Sequence, residues 1–505
     1  MSSAIKIGWS EISITPDKKA SLMGQFAERI SQYVEKPITA TAMAIDGDDQ
    51  AVIVSVDING VSYNLVDAIR ENLKNNTVGL DPLKVVFAAT HSHTAPGYPR
   101  YNQTAKCGMY LTFKELLERE LPEGKKYVAK AQVTDNPDVI TGDEMFELLT
   151  ERLSKVALQA WEKRKPSAYV NAFGRAAVGL NRRAVYTDGT SKMWGDTNSS
   201  VFEEVEGASD SGIELLFVKE KDDNEKIKGI VVNLACPAQC VQHRLFLSPD
   251  FWGEVKVLLR QRFGEDLFVL PLCSMCGDQC PVDLVRWVAP ESELNDPNII
   301  RNNPPKRKAD PSMFDLSGMR KIGKRIAREV IDVYEEGLDE FIDGAPIIHD
   351  VTIMQLPLRK ATMTDYENAI REIEYYVAKN KHKEKFDFED NARMYVHSGT
   401  IKRYREQQNK EVVNIEYHVV RLGDIAIATN PYELFLDYGN RMKARSKAEQ
   451  TFIVQLCCGS HGYLPTEKAE KAGHYSAYIS GGDTGHEGGD ILTRNTITEI
   501  NKMFD

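Results

Sequence analysis

Two histidines that follow a short apolar segment have the clearest chemical potential in this sequence. The segment, residues 85–89, has the length and composition of a buried strand, and Thr90, His91, Ser92 and His93 follow it directly. Side chains at positions i and i+2 of a strand lie on one face, so His91 and His93 would point to the same place. Two converging imidazoles can bind a metal, or one can bind it while the other moves protons. On this segment alone, a hydrogen-bonded histidine pair in an ordinary loop is an equally good interpretation.

Four further apolar segments end near a residue that can bind a metal or carry a proton. These residues are Cys236, Asp278, Glu433 and Tyr463. In layered α/β sheets ligands collect at the carboxyl ends of strands, because the loops there surround a crevice. We therefore predict one composite site. A histidine nitrogen with a carboxylate is typical of catalytic zinc, which lowers the pKa of a bound water to about 7 while a second histidine handles protons.

Composition limits the partners of the protein. The 505 residues include 63 lysines and arginines and 74 aspartates and glutamates, so the formal charge is −11. Such a chain has no basic excess for binding nucleic acid or an anionic membrane surface. No apolar run reaches the roughly 18 residues that span a bilayer, and the first residues lack a signal-peptide pattern. We expect a cytoplasmic protein with a small-molecule substrate, no nucleic-acid partner and no integral membrane segment. An exported protein whose signal had been removed would have the same sequence features.

Eight cysteines cluster in the sequence. Cys273, Cys276 and Cys280 have a spacing similar to that of metal ligands, but they do not form two separated CxxC pairs. They follow an apolar segment, where small buried residues are common. We interpret them as reduced, buried thiols rather than as a structural zinc or iron–sulfur site.

The elements that must position these residues alternate along the chain. Strand-like segments at 39–45 and 51–58 precede a helix-like segment at 66–73 and the strand at 85–89. Asp143 is predicted to cap a long amphipathic helix. The alternation predicts an α/β fold of layered mixed β-sheets flanked by helices.

Three less regular segments complete the expected organisation of a single domain, residues 1–505. The segment 98–137 has no clear period, and a loop of that length usually shapes a binding site. The segment 295–311 is dense in proline, asparagine and lysine and is predicted to be a surface excursion. From 312 to about 411 the pattern predicts a helical insertion.

Several short motifs carry a resemblance to a known family when they are taken in order. They are Gly8-x3-Ile12-x2-Thr15-Pro16, the run 88–97, Asn181-Arg182, Gly277-Asp278-x2-Pro281, Pro431-Tyr432-Glu433 and the run 462–466. In order and spacing the sequence resembles neutral ceramidases, over nearly its whole length up to about Gly489.

The resemblance implies a zinc amidohydrolase that cleaves the N-acyl bond of ceramide, with one zinc ion per chain. It implies that His91, Glu433 and Tyr463 are zinc ligands. It also implies that His93 transfers protons, that Arg182 binds the substrate and that Tyr475 stabilises the oxyanion.

The sequence departs from the family pattern in three ways. Where ceramidases carry a second zinc-binding histidine this chain has Cys236, and we expect His243, the only imidazole in the segment, to take its place, with Cys236 as the rival. The resemblance ends before the immunoglobulin-like C-terminal domain of ceramidases, which we expect to be missing. We also expect no export signal. Together these departures argue against ceramide itself as the substrate.

We therefore predict a metal-dependent hydrolase that cleaves an amide bond with metal-activated water. The same groups could act on an ester or on a sugar derivative. A binding protein that keeps the fold with a degraded metal site is the rival hypothesis, and Cys236 is its best support.

Overall fold

The computed structural model describes residues 4–25, 29–98, 136–223, 226–288, 308–383 and 388–505. Most of the predicted binding loop at 98–137 and of the predicted excursion at 295–311 lies outside the described residues, as does Cys107.

The described strands are short to medium in length. In chain order they are β1 (Lys6–Ser13), β2 (Tyr33–Val34), β3 (Thr39–Asp46), β4 (Gln50–Val56), β5 (Val85–Ala89), β6 (Lys165–Arg175), β7 (Leu180–Asn181), β8 (Arg183–Tyr186), β9 (Ser191–Met193), β10 (Phe202–Val205), β11 (Gly212–Glu220), β12 (Ile227–Leu234), β13 (Phe246–Leu247), β14 (Phe268–Cys273), β15 (Gln279–Cys280), β16 (Asp283–Val288), β17 (Lys308–Asp310), β18 (Ile347–Pro357), β19 (Val412–Leu422), β20 (Ile425–Thr429), β21 (Glu433–Leu434), β22 (Gln450–Val454) and β23 (Tyr463–Leu464).

The described helices flank these strands. They are α1 (Tyr63–Asn76), α2 (Gly142–Glu162), α3 (Phe251–Phe263), α4 (Asp315–Glu336), α5 (Met363–Lys379), α6 (Phe388–Glu406), α7 (Leu436–Arg445), α8 (Glu467–Ala472) and α9 (His486–Met503), with 3₁₀ turns at Pro82–Lys84 and Ile479–Gly481.

Two sheets organise the fold. The first has eight strands in the order β14-β12-β11-β6-β1-β3-β4-β5, and the second has four in the order β18-β19-β20-β22. Both are mixed, because β4–β5, β12–β14 and β20–β22 are parallel pairs within otherwise antiparallel sheets. The predicted α/β class with mixed sheets is confirmed.

The main hydrophobic core lies between the two sheets, and the alternation of side chains along each strand separates it from the outer cores. On β11, Leu216 belongs to the shared core, whereas Leu215 packs with helices α3 and α4. On β20, Ile427 belongs to the shared core, and Ala428 packs with α7 and α9. The result is a layered arrangement of helices, sheet, sheet and helices.

Helix α2 shows how local sequence sets an element. Thr141 is its N-cap, and the side chains of Thr141 and Glu144 form a capping box. The predicted cap, Asp143, is therefore not the cap but lies in the first turn of the helix, where its negative charge still favours the helix dipole. The predicted apolar face is buried, including Leu149 and Val156.

The predicted helical insertion at 312–411 needs correction, because it also contains β18, an edge strand of the second sheet. An isolated helical unit would lack these strand hydrogen bonds. Helices α5 and α6 do pack against each other in a small cluster of their own that includes Ile373 and Ile401.

Candidate functional site

The two sheets meet where several strands end, and this junction builds the candidate site. The last residues of β5 contact those that follow β22, through an Ala88–Cys457 bridge and a hydrogen bond from the Ala89 amide to the Leu456 carbonyl. The Gln455 amide likewise donates to the carbonyl of Cys273, at the end of β14. Carboxyl ends of strands from both sheets therefore surround one region, as the sequence predicted.

His91 is held at this junction in an unusual backbone conformation. Its φ of +62° lies in the left-handed region, which is uncommon for residues other than glycine and concentrates at functional sites. Its Nδ1 lies 2.7 Å from the carbonyl oxygen of Asn59, which can only accept, so Nδ1 carries the proton. In the neutral ring the lone pair is therefore on Nε2, and Nε2 points into the site.

The atoms around His91 Nε2 are those expected of a metal site. A carboxylate oxygen of Glu433 lies 3.4 Å away, and the Nε2 of His93 lies 3.1 Å away. Two acceptor atoms, a histidine nitrogen and a carboxylate oxygen, thus face each other in a largely buried place. A tetrahedral zinc with ligand distances of about 2.1 Å separates its ligand atoms by about 3.4 Å, so the spacing fits a zinc ion.

Glu433 and Tyr463 are brought together by backbone pairing. Glu433 lies on β21 and Tyr463 on β23, and the two residues are register partners in a parallel ladder. Glu433 precedes helix α7, which begins at Leu436. The ladder points both residues to the same end of the second sheet.

Two further polar side chains, Arg182 and Tyr475, lie near the Tyr463 hydroxyl. The Nη2 of Arg182 and the hydroxyl of Tyr475 each lie 3.5 Å from it. Burial raises the pKa of Tyr463 well above its ordinary value, and the negative charge of Glu433 adds to this rise, whereas Arg182 lowers it. Tyr463 is therefore a neutral phenol, even beside Arg182, unless a metal ion binds it.

Asp278 positions Arg182. The backbone amide of Arg182 donates to the Asp278 carbonyl oxygen at 2.9 Å, and the Asn181 side chain donates to the carboxylate at 2.8 Å. The other carboxylate oxygen accepts from the amide of Leu436 at 3.0 Å, which ties this loop to α7. Burial raises the pKa of Asp278 to about 6, although the hydrogen bond from the Leu436 amide acts to lower it.

The structure does not bring His243 to the other predicted metal ligands. Its ring lies 3.5 Å from the carboxylate of Asp315 and stacks on Phe314 with 5.3 Å between ring centroids. The ring would have to leave both contacts to reach His91. The sequence does not reveal these contacts of His243, because Phe314 and Asp315 are distant from it along the chain.

Cys236, the rival, is fully buried beside the site. Its thiol lies 3.4 Å from the carbonyl oxygen of Val178, to which it donates. Burial raises the pKa of the thiol well above its ordinary value, and the charge of Arg182 lowers it. Cys273 and Cys276 are also buried thiols, 3.3 Å apart.

Two further histidines near the site have structural partners. His461 bonds to Asp483 through Nδ1 at 2.8 Å and to the Tyr63 hydroxyl through Nε2 at 2.6 Å. His474 accepts from the amide of Met193 at 3.1 Å. Their ring nitrogens therefore hold loops together.

A separate buried group also has the composition of a metal site. Ligand atoms of Glu416, His418 and Cys458 lie within 4.8 Å of one another and could hold a metal ion. However, Arg70 donates to both carboxylate oxygens of Glu416 at 2.7 Å, and its positive charge opposes a cation there. None of the predicted ligands belongs to this group.

Gln239 is a residue near the site that sequence reasoning missed. It is 2% exposed, and its side-chain oxygen lies 3.5 Å from Nη1 of Arg182. It follows the Cys236-Pro237 turn, and its position three residues after Cys236 is the only feature of the sequence that could have pointed to a place near the site.

Comparison with known proteins identifies the fold. No protein-family model matches the sequence, and no curated protein matches it. A neutral ceramidase from Pseudomonas aeruginosa has a TM-score of 0.65 and 14% identity, covering 99% of this chain and 74% of that chain. A ceramidase complexed with C2 has a TM-score of 0.66 and 11% identity, covering 99% and 75%. The chain therefore has a neutral-ceramidase-like fold. Within the described residues, no helix combines the length and apolar character needed to cross a membrane.

Proposed function

We propose that this protein is a metal-dependent hydrolase that cleaves an amide bond with an activated water molecule. The observation that carries the proposal is the 3.4 Å separation of His91 Nε2 and a Glu433 oxygen, two acceptor atoms with a spacing that fits zinc. The ceramidase-like fold supports a hydrolase, and the sequence resemblance implies the amide.

Three residues would hold one zinc ion per chain: His91, Glu433 and Tyr463. A catalytic zinc takes three protein ligands and leaves the fourth position to water, so neither His243 nor Cys236 is required. When bound, zinc supplies a water of low pKa and a positive charge that lowers the pKa of the Tyr463 hydroxyl. The buried phenol, which is neutral without a cation, is consistent with this assignment.

The remaining residues would bind the substrate and move protons. His93, with its Nε2 beside that of His91, is placed to take a proton from the attacking water and to give one to the leaving amine. Arg182 and the Tyr475 hydroxyl lie around the Tyr463 hydroxyl, where they can donate hydrogen bonds to the substrate carbonyl oxygen as it gains charge.

The proposed substrate carries an N-acyl bond but is not ceramide. The two structural neighbours are ceramidases, and at 14% and 11% identity they establish the fold alone. An ester or a sugar derivative would use the same attacking water, so these remain the alternative substrates. Localisation in the cytoplasm also remains a prediction from the sequence.

Metal analysis followed by a substrate panel tests the proposal. We expect about one zinc per chain in the purified protein. Matched N-acyl, O-acyl and glycosidic chromogenic substrates then separate the hydrolase classes, and N-acyl cleavage that a chelator abolishes and zinc restores is the expected result. Protein without metal above background and without activity after zinc addition would overturn the proposal in favour of a binding protein.

A further inference from the structure

Arg182 is a buried cation that forms no direct ion pair with a carboxylate among the described residues. Its side chain is 4% exposed, and its hydrogen-bond partners are the Gly277 carbonyl at 3.0 Å and two oxygens at 3.5 Å, on Gln239 and Tyr463. No carboxylate forms an ion pair with the guanidinium within the described part of the chain, and its Nε has no hydrogen-bond partner. A buried N–H without a hydrogen-bond partner is unfavourable, so this arrangement points to a ligand that supplies an acceptor oxygen to the Nε of Arg182.

Gln239 presents a second unpartnered donor at the same place. The Nη1 of Arg182 can only donate, so the atom of Gln239 that faces it must be the oxygen. The side-chain nitrogen of Gln239 is then left buried without a hydrogen-bond partner. Both unpartnered atoms, Arg182 Nε and Gln239 Nε2, are N–H donors, and the ligand must therefore bring acceptor oxygens.

We propose that Arg182 and Gln239 form a carboxylate-binding subsite and that the substrate is an N-acyl amino acid. Each of these groups can donate a hydrogen bond to a carboxylate oxygen, and a bond to a charged acceptor is stronger than a bond to a neutral one. This inference rests on the proposed function, because it names the substrate class for the same site.

The position of Arg182 places the carboxylate close to the reacting bond. Its Nη2 lies 3.5 Å from the hydroxyl of Tyr463, a proposed metal ligand. In an N-acyl amino acid the carboxylate is joined to the amide nitrogen through a single carbon atom, so both groups fit within this short span. Hydrolysis breaks the C–N bond, forms a C–O bond to the water oxygen and transfers a proton to nitrogen. The products are a carboxylate and a free amino acid.

Calorimetric titration with a matched pair of ligands tests the subsite. The probes are N-hexanoylglycine and N-hexanoylethanolamine, which share the acyl chain and the amide and differ in the carboxylate. Each is titrated into the full-length protein as purified, and again after dialysis against a chelator, so that binding to metal is separated from binding to Arg182. We expect the glycine derivative to bind at least about tenfold more tightly in both preparations.

Substitutions of Gln239 locate the effect. Gln239→Glu places a carboxylate beside Arg182 and should abolish the preference. Gln242→Glu is the matched control, because it makes the same change in the same loop and its oxygen can still accept from Gln25. It should keep the preference. Gln239→Leu removes the amide without adding charge and should reduce the preference, which keeps the test decisive if Gln239→Glu does not fold.

The outcomes separate the subsite from the proposed reaction. Equal binding of the two probes, binding of neither, a preference seen only with metal present, or a preference that survives in both Gln239 variants would each overturn the subsite. A preference that depends on Gln239, in a zinc-loaded protein that hydrolyses neither amide, would support the subsite and overturn the proposed hydrolase.

Discussion

Glu433 and Tyr463 are register partners in a two-residue parallel ladder. Each follows one of two parallel neighbours in the second sheet, β20 and β22, so the sheet itself sets the distance between the two side chains. The backbone amide of Glu433 also donates to the Gly462 carbonyl at 2.8 Å, which extends the pairing. Two of the proposed metal ligands are therefore placed by backbone hydrogen bonds, without the metal.

Removal of either acceptor atom at the centre of the site should remove the metal. We expect His91→Ala and Glu433→Ala to lower zinc content from about one per chain to background and activity by at least about 100-fold, because two protein ligands hold zinc poorly. Mass spectrometry of the metal content and a chromogenic amide assay measure both. His382→Ala, at an exposed histidine, is the control. Full zinc content in His91→Ala would contradict the assignment.

The two tyrosines should behave differently when each hydroxyl is deleted. Tyr463→Phe removes a proposed ligand and should lower zinc affinity. Tyr475→Phe removes a proposed oxyanion donor and should lower kcat by about 100- to 1000-fold while zinc content stays the same. Zinc titration and steady-state kinetics on both variants separate the roles. Loss of zinc in Tyr475→Phe, or full zinc affinity in Tyr463→Phe, would reverse the assignment.

The sequence predicted the elements of the fold better than their assembly. The continuous apolar run of β5 and the helical spacing on α2 depend on local residue pattern, and both elements are present as predicted. The strand β18 lies within a region of charged helices, and its pairing with β19 depends on contacts distant in sequence. Local periodicity does not contain that information.

The candidate site was predictable only where strands carry its residues. His91 and Glu433 follow buried strands. Because ligands gather at the carboxyl ends of strands, the sequence predicts that these two residues lie close together. His243 and Gln239 lie on an irregular segment, where the direction of a side chain depends on its tertiary neighbours. His243 turns to Asp315 and Gln239 turns to Arg182, and no local signal distinguishes these two outcomes.

A glycine next to the site should be sensitive to a single added methyl group. A Cβ at Gly277 would overlap the carbonyl oxygen of Glu433, and the Gly277 amide donates to Leu434 at 2.9 Å. Gly277→Ala should therefore displace β21, destabilise the protein by about 1–3 kcal/mol and weaken zinc binding. In Gly481→Ala the nearest atom to the new Cβ is 3.8 Å away, so this control should change neither. Unaltered zinc affinity in Gly277→Ala would show that β21 tolerates the shift.

The buried pair of Arg70 and Glu416 should contribute to stability. Arg70 donates to both oxygens of Glu416, and both side chains are largely buried. Glu416→Gln leaves the Arg70 charge without its partner and should lower the free energy of unfolding by about 3–5 kcal/mol. Urea denaturation near neutral pH measures this. Glu335→Gln breaks an exposed ion pair with Arg262 and should change stability by less than about 1 kcal/mol. Equal effects of the two substitutions would contradict the prediction.

Two buried groups, His349 and Glu416, should make the protein less stable as the pH falls below neutrality. Burial lowers the pKa of His349 from 6.5 to about 3, so between these values the unfolded chain binds more protons and stability is lost as pH falls. For Glu416, burial raises the pKa, but hydrogen bonds from His418 and Arg70 outweigh it and lower the pKa from 4.5 to about 2. The contribution of Glu416 is therefore complete above pH 4.5 and is lost as pH falls from there towards 2. Urea midpoints should decline in two overlapping windows, an upper one between pH 6.5 and about 3 for His349 and a lower one between pH 4.5 and about 2 for Glu416. His349→Gln should remove the upper decline and Glu416→Gln the lower one, and an upper decline that persists in His349→Gln would assign it to another group.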